Sequence, residues 1–242
     1  MKIDSEKWTL SFYGVVDDRL AIETDLFNLH IYRKDGINKL ISERTPGHLD
    51  IYIPNEWDME LYNNQERIRK LMCKEISWQA LNIFKHRTEL YAKRFDIAYG
   101  QVEVVWKPHF LGHCSDGIKY NMWTICGADK KHIDYLVCHE LAHFRILGHN
   151  EQFWKKVEQI YNGLDSDKSL TGKSMKLLHS EFAQINTYHV LMYWCRPSYL
   201  RLFFERELVQ NRTPLITPHY IDGPKGKIQV GFLTNFEIKF WR

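Results

Sequence analysis

The chain has 242 residues, of which 44% are hydrophobic and 26% are charged, so it is long enough to bury a core and too apolar for a disordered chain. Its net charge of +3 is too small to predict a nucleic-acid or membrane partner. No stretch approaches the roughly 18 uninterrupted apolar residues of a membrane span, and the charged start lacks the apolar core of a signal peptide.

The cysteines argue against two further classes of protein. They are odd in number, widely spaced and without a Cys-x-x-Cys pair, which excludes disulfide scaffolds and zinc ribbons. They are Cys73, Cys114, Cys126, Cys138 and Cys195. Together with the missing signal peptide, this pattern predicts a soluble, cytoplasmic protein.

The first part of the chain is predicted to be strand-rich. Apolar and polar residues alternate in "LFNLHIYRKDG" and again in "HLDIYIP", and turn residues lie between them, which predicts a small antiparallel sheet. The apolar period then changes from two to about 3.6. This change predicts a long helix, or two helices in series, over residues 64–97.

The middle of the chain is predicted to contain two strands and then two helices. The strands are "QVEVVW" and "IKYNMWTI", with the loop "KPHFLGHCSDG" between them. A helix is expected over residues 131–147, with Gly148 as its C-terminal stop and Asn150 as the cap of the next helix. His149 is therefore expected in the turn between the two helices.

The C-terminal part is predicted to be a small α+β region. A helix is expected around residues 174–182, followed by an aromatic run at 187–194, a helix over 199–210 and a strand over 235–241. No motif in this part names a chemistry.

The stretch "HELAHFRILGH" has the spacing of a metal site. On a helix, His139 and His143 lie one turn apart along the edge of the buried stripe, so both imidazoles can reach one zinc ion. Glu140 lies beside that line and is suited to act as a base on metal-activated water. Gly148 allows the chain to turn and bring His149 back as a third ligand. Three histidines and an open position are typical of a catalytic zinc site.

The same segment resembles the YgjP-like metallopeptidases, whose pattern contains a His-Glu-Leu-Ala-His block and a third histidine after five residues. The residues that match are Tyr135, His139, Glu140, Leu141, Ala142, His143, His149, Phe153 and Trp154. Asn150 stands where the family usually has serine, and both residues are good helix caps.

The resemblance is partial in the loop upstream of the active helix. The family has Trp-Gly-Ser-Cys-Ser there, and this chain keeps Gly112, Cys114 and Ser115. Leu111 and His113 replace the tryptophan and the first serine.

The resemblance covers about residues 10–160 and implies an α+β, zincin-like fold. Its parts are N-terminal antiparallel strands, a long helix and an active-site helix, and the C-terminal extension that follows lies outside the resemblance. We therefore expect a metallopeptidase domain over residues 1–164, strand-rich in 1–62 and catalytic in 63–164. A small α+β extension of unassigned role would occupy residues 165–242.

The function that follows is zinc-dependent hydrolysis of peptide bonds by a metalloendopeptidase. Zn²⁺ would be held by His139, His143 and His149, with Glu140 as general base. The resemblance implies that the strand "IKYNMWTI" is the sheet edge along which an extended peptide substrate pairs. The candidate donors to the oxyanion are Tyr188, His189, Tyr193 and His113.

Other zinc families fit the sequence less well. Metzincins have glycine where this chain has Ile146. Many SprT-like proteases add a zinc ribbon, which the lack of a Cys-x-x-Cys pair excludes here. Thermolysin-type enzymes use a glutamate as third ligand, but Glu151 and Glu181 are less well placed than His149.

Two alternative functions remain open at the level of sequence. The first is a metal-dependent nucleoside triphosphate pyrophosphatase, which the absence of a Gly-rich phosphate loop and of an acidic magnesium cluster disfavours. The second is binding of nucleic acid or a protein partner by the basic, aromatic tail "YWCRPSYLRLFFERELVQNR", whose pattern also fits a packed amphipathic helix. No sequence feature predicts an oligomeric state.

Overall fold

A computed structural model describes six stretches of the chain. They are residues 16–59, 61–107, 110–164, 171–183, 216–223 and 226–234. Within them the fold is α+β, as the sequence predicts, with N-terminal strands followed by helices. None of the helices in the described stretches has the combination of length and hydropathy that a membrane-spanning segment needs.

The first sheet has four strands in the order β1-β2-β4-β3. The strands are β1 (Ala21–Glu23), β2 (Asn28–Lys34), β3 (Ile41–Thr45) and β4 (His48–Pro54). The two outer pairs are antiparallel as expected, but the central pair, β2 and β4, is parallel. The difference arises because β3 turns back through Gly47, at φ 79°, so that β4 rather than β3 lies beside β2.

A single helix, α1 (Tyr62–Arg94), follows the sheet, so the prediction over 64–97 is confirmed as one helix rather than two. Its apolar stripe is fully buried, at Ile68, Met72, Ile76, Ala80 and Phe84. The buried amide of Gln79 joins α1 to the turn between β3 and β4. It accepts from the Gly47 N–H at 2.9 Å and donates to the carbonyls of Thr45 and His48 at 2.7 and 2.8 Å. The sheet and the helix are therefore held in a fixed register.

The second sheet has three strands in the order β5-β7-β6, namely β5 (Val102–Val105), β6 (Gly112–Cys114) and β7 (Ile118–Asn121). The predicted strand "IKYNMWTI" ends early, because residues Met122–Cys126 form a 3-10 helix. The Asn121 side chain starts this helix by accepting from the Trp123 N–H at 3.1 Å, and it also donates to two carbonyls of the preceding loop.

The strand order corrects one expectation. β7 is central, hydrogen-bonded to β5 on one side and to β6 on the other. It therefore has no free edge for an extended substrate, and the expectation that it does is wrong. The edge strand next to the predicted active helix is β6, which was expected to be part of a loop.

Three helices complete the described fold: α2 (Lys130–His143), α3 (Glu151–Asn162) and α4 (Gly172–Ala183). α2 ends before the predicted stop at Gly148, because the amides of Arg145 and Ile146 turn back to the Ala142 carbonyl at 3.0 Å. Gly148 does not adopt a positive φ. Asn150 caps α3 as predicted and accepts from the Phe153 N–H at 2.9 Å.

Helix α2 is the centre of the packing, with α1, α3 and α4 all against it. The ion pair between Arg87 on α1 and Asp134 on α2, with N–O distances of 2.5 and 2.6 Å, is almost entirely buried. From α4, Met175 and Leu178 enter the same apolar core. The helix predicted around residues 174–182 is thus confirmed, and it covers one side of α2.

The remaining described segment is an antiparallel hairpin of β8 (Ile216–Gly223) and β9 (Gly226–Thr234), which sequence analysis missed. The elements predicted at 187–194, 199–210 and 235–241 lie outside the described residues.

Candidate metal centre

The three histidines of the motif meet at one point. Nε2 of His139 lies 3.2 Å from Nε2 of His143 and 3.1 Å from Nε2 of His149. Ligand nitrogens about 2.0 to 2.1 Å from a tetrahedral zinc ion are about 3.3 Å apart, so the spacing matches such a site. Nitrogen lone pairs at this distance repel one another unless a cation or a proton lies between them. The residues present therefore fit a divalent metal ion.

The turn after α2 fixes which ring nitrogens face the centre. Nδ1 of His143 lies 3.2 Å from the Ile146 carbonyl, which can only accept, so Nδ1 carries the hydrogen and leaves Nε2 free as a ligand. The indole N–H of Trp154 donates to the His149 carbonyl at 3.0 Å. These two bonds shape the loop that carries the third imidazole back to the other two.

The ring of Phe153 forms the apolar wall of the centre. It is fully buried, and its centroid lies 4.9, 4.5 and 4.8 Å from the centroids of His139, His143 and His149. Because the helix cap at Asn150 fixes the start of α3, the position of this ring is fixed as well. The wall restricts the imidazoles to orientations in which their Nε2 atoms converge.

A second hydrogen-bonded chain supports His139 from behind. The Tyr135 hydroxyl lies 2.9 Å from Nδ1 of His139 and 3.0 Å from Nδ1 of His179 on α4. When Nε2 of His139 is a metal ligand, Nδ1 carries the hydrogen and donates to the tyrosine, which then donates to His179. Tyr135 thus links the motif helix to a helix outside the motif.

The surroundings keep two of the imidazoles uncharged. Burial, and then the neighbouring histidines, lower the pKa of His139 to about 3. The pKa of His143 is also lowered, chiefly by burial. Neutral imidazoles are the form that binds metal, so this environment favours metal binding at neutral pH.

Glu140 lies between the cluster of three histidines and β6. It is 4% exposed, and burial raises the pKa of its carboxyl to about 8 in the absence of a metal. A side chain at Gly112 would collide with it, because a Cβ atom there would lie 2.5 Å from Oε1 of Glu140. The carboxylate is therefore placed directly against the edge strand.

Of the four candidate oxyanion donors, one lies among the described residues and three do not. His113 lies exposed on β6, close enough to His143 to be one of the minor causes that lower the pKa of His143. Tyr188, His189 and Tyr193 lie outside the described residues.

The glutamates weighed as alternative third ligands also differ in what the structure describes. Glu151, at the start of α3, forms an ion pair with Lys155 at 2.8 Å rather than joining the histidines. The side chain of Glu181 is outside the described part.

Sequence reasoning missed two residues of the centre. His179 follows the buried Leu178 in an ordinary amphipathic helix, and its pattern gives no signal of contact with Tyr135. Gly112 was noted as a matching motif position, but its steric role depends on which strand lies at the sheet edge.

Comparison with known families agrees with the geometry. The family model of the YgjP-like metallopeptidase domain matches residues 38–170, more than half of the chain. The match begins later than the expected 10–160 and extends ten residues further. Neither a curated protein nor a solved structure matches the chain. The matched range contains all three converging histidines and Glu140, and the chain therefore belongs to the YgjP-like family and carries its metallopeptidase domain.

Proposed function

We propose that this protein is a zinc-dependent endopeptidase that cleaves extended segments of peptides or proteins. The observation that supports it best is the convergence of three imidazoles, with Nε2 of His139 at 3.2 and 3.1 Å from Nε2 of His143 and His149. They lie beside a buried carboxylate that faces a sheet edge. The family assignment supports the metallopeptidase class independently.

His139, His143 and His149 would hold the ion. Three neutral imidazoles leave a zinc ion its full double charge, and the ion supplies a Lewis acid that polarises the scissile carbonyl and acidifies water. Tyr135 and Phe153 orient the ligand rings, which reduces the reorganisation needed when substrate binds.

Glu140 acts as the general base. It accepts a proton from the attacking water and passes it to the leaving amine. The base must be ionised, and a dication held by the neighbouring histidines favours the ionised form against the burial that raises its pKa. Burial also excludes bulk water, so the proton is kept within the site.

The substrate is proposed to pair with β6, the edge strand of the described second sheet that contacts α2. An extended peptide added there runs past Gly112, whose missing side chain leaves the Glu140 carboxylate within reach of the peptide. His113, on the same strand, is our candidate donor to the oxyanion, and Tyr188, His189 and Tyr193 remain candidates.

We also propose a cytoplasmic location. The cysteines that the structure describes, Cys73, Cys114, Cys126 and Cys138, are all free thiols, which supports a reducing compartment.

The test separates the metal site from the base. Glu140→Gln is expected to bind about as much zinc as the unchanged protein and to lose at least 100-fold in peptide hydrolysis. His143→Ala is expected to lose the metal and the activity together. His86→Ala, an exposed histidine on α1, is the matched control and should change neither. Full activity of the Glu140→Gln variant would refute the assigned base.

The choice of substrate distinguishes the proposal from its alternatives. The zinc-loaded protein is assayed with casein fragments and with nucleoside triphosphates, and hydrolysis of peptide alone is expected. Hydrolysis of nucleotides without peptides, lost in the same Glu140→Gln variant, would replace the peptidase by a pyrophosphatase at the same site. Salt-dependent retention on nucleic acid would instead point to the C-terminal part.

A further inference from the structure

A second group of possible metal ligands lies on the outer face of the first sheet. Along β2 and β4 the residues alternate, with Leu29 and Leu49 buried in the core and His30, His48 and Asp50 on the opposite face. The parallel register places His30 directly opposite Asp50. The central strand pair of the sheet therefore brings two imidazoles and one carboxylate together.

The distances are those of a ligand set. Nε2 of His48 lies 3.1 Å from Oδ2 of Asp50, and Nδ1 of His30 lies 3.8 Å from Oδ1 of the same carboxylate. One ligand atom from each of the three residues lies within 4.8 Å of the other two. Such separations are close to those of adjacent ligands around a single ion with bonds of about 2.0 to 2.2 Å.

The contacts of the two ring nitrogens of His30 are the main observation that favours a bound ion. Its Nε2 lies 3.3 Å from the Glu23 carboxylate on β1, and because a carboxylate only accepts, Nε2 carries the hydrogen. Nδ1, on the other side of the ring, faces Oδ1 of Asp50 at 3.8 Å. Both atoms are buried, and neither has a hydrogen-bond partner among the described residues. A divalent cation bound between Nδ1 and Oδ1 would give both of these buried atoms a partner.

The pairing with Glu23 is also what a metal-binding histidine needs. A carboxylate that accepts from the far ring nitrogen fixes the tautomer and the ring orientation and increases the basicity of the ligand nitrogen. The charge of the surroundings is favourable, because Asp50, Glu23 and Glu43 all lie on this face. The side chains of His30, His48 and Asp50 are 28%, 44% and 19% exposed, so the ligand set lies near the surface although Nδ1 of His30 and Oδ1 of Asp50 are themselves buried.

We infer that His30, His48 and Asp50 form a second site for a divalent ion of the zinc class. Two imidazole nitrogens and one carboxylate oxygen suit Zn²⁺, Co²⁺ or Ni²⁺ better than Mg²⁺ or Ca²⁺, which prefer oxygen ligands alone. The ion bridges β2 and β4, the strands whose parallel pairing departs from the rest of this sheet. The site is built from different elements than the cluster of His139, His143 and His149 and does not depend on the proposed peptidase activity.

The test counts ions in the full chain. The metal-stripped protein is titrated with Co²⁺ in competition with a chromophoric chelator. We expect two ions per chain, one ion in Asp50→Asn and one in His48→Asn. His143→Ala is also expected to bind one ion, and the double variant Asp50→Asn with His143→Ala none. Glu43→Gln, on the same face but outside the three ligands, is the control and should keep two.

Three results would overturn the inference. Asp50→Asn and His48→Asn could both retain two ions, or the unchanged chain could bind a single ion that His143→Ala abolishes. The second ion could also bind only at roughly millimolar concentration, as incidental surface ligands do. His48 is partly exposed, so His48→Asn provides a folded variant even if the change at Asp50 disturbs the sheet. Circular dichroism of each variant verifies folding.

Discussion

Gly112 and Glu140 occupy adjoining space, so that a Cβ atom at position 112 would lie 2.5 Å from Oε1 and 3.0 Å from Cγ and Cδ of the glutamate. The glycine is on the edge strand β6 and the glutamate on the buried helix α2. Position 112 thus controls where the proposed base lies relative to a substrate on the strand.

Replacing this glycine should impair catalysis more than folding. In Gly112→Ala the flexible end of Glu140 can move aside, so we expect a loss of stability of no more than about 1 to 3 kcal/mol. The base is displaced, and kcat should fall at least 10-fold with metal content unchanged. Gly148→Ala is the matched control, because a Cβ atom there meets no atom within 4 Å. Equal activity of the two variants would contradict the proposed role.

Tyr135 is expected to act on the metal through His139. Tyr135→Phe keeps the ring but removes the hydroxyl that joins His139 to His179, and zinc affinity should fall by about 10 to 100-fold. Tyr120→Phe is the matched control, since its buried hydroxyl contacts Thr88 at 3.1 Å and no imidazole of the cluster. Affinity is measured by chelator competition. If both variants lose affinity equally, general loosening of the core explains the effect.

The Arg87 and Asp134 pair should be important for folding. Among the described residues, Arg87→Ala leaves the nearly buried Asp134 carboxylate in an ion pair with Lys130, at 3.1 Å. Removing one partner of a buried ion pair typically costs about 3 to 5 kcal/mol of unfolding free energy. Lys130→Ala, whose side chain is 45% exposed, should cost less than about 1 kcal/mol. Urea denaturation measures both, and a smaller loss for Arg87→Ala than for Lys130→Ala would contradict this account.

The metal-free protein should show a distinctive dependence of stability on pH. The pKa of Glu140 is raised from 4.5 to about 8. The stability that its protonated form contributes to the unfolding free energy is therefore fully present below pH 4.5 and is lost as pH rises through 8. The pKa of His139 is lowered from 6.5 to about 3, so its contribution is present above 6.5 and is lost as pH falls toward 3. Between pH 4.5 and 6.5 the two groups change the unfolding free energy in opposite directions as pH rises, Glu140 lowering it and His139 raising it.

The effect of Glu140 is therefore clearest from pH 6.5 to 8, where the titration of His139 no longer changes the unfolding free energy. There the unfolding free energy of the chelator-treated protein should fall by up to about 1.4 kcal/mol per pH unit. Glu140→Gln has no carboxyl to ionise and should remove this part of the decline. An identical decline in both proteins would show that another group is responsible.

Much of the metal centre could be predicted because its ligands are close in sequence. Two histidines one helical turn apart share a face of the helix whatever the rest of the fold is. In agreement with this, Nε2 of His139 and Nε2 of His143 lie 3.2 Å apart. The turn that returns His149 was also expected. Its mechanism differs, because backbone bonds to Ala142 and the Trp154 indole shape it and Gly148 does not.

The sheets show where sequence patterns fail. Alternation identified β2 and β4 as strands, but a period of two carries no information about which strands pair or in which direction. The apolar run after Asn121 was read as a continued strand, whereas a side-chain bond to the Trp123 N–H starts a 3-10 helix. The edge position of β6 and the contact of His179 with Tyr135 depend on packing between distant segments, which no local pattern records.

The location of the ligands within eleven consecutive residues also bears on how the molecule assembles. Closing the chain between His139 and His149 requires only about ten residues, so an ion can be captured while most of the fold is still forming. Bringing Gly112 to Glu140 requires a loop of about 28 residues and a completed second sheet. The proposed metal site can thus form before β6 reaches Glu140, whereas the proposed peptidase activity needs both and therefore the completed fold.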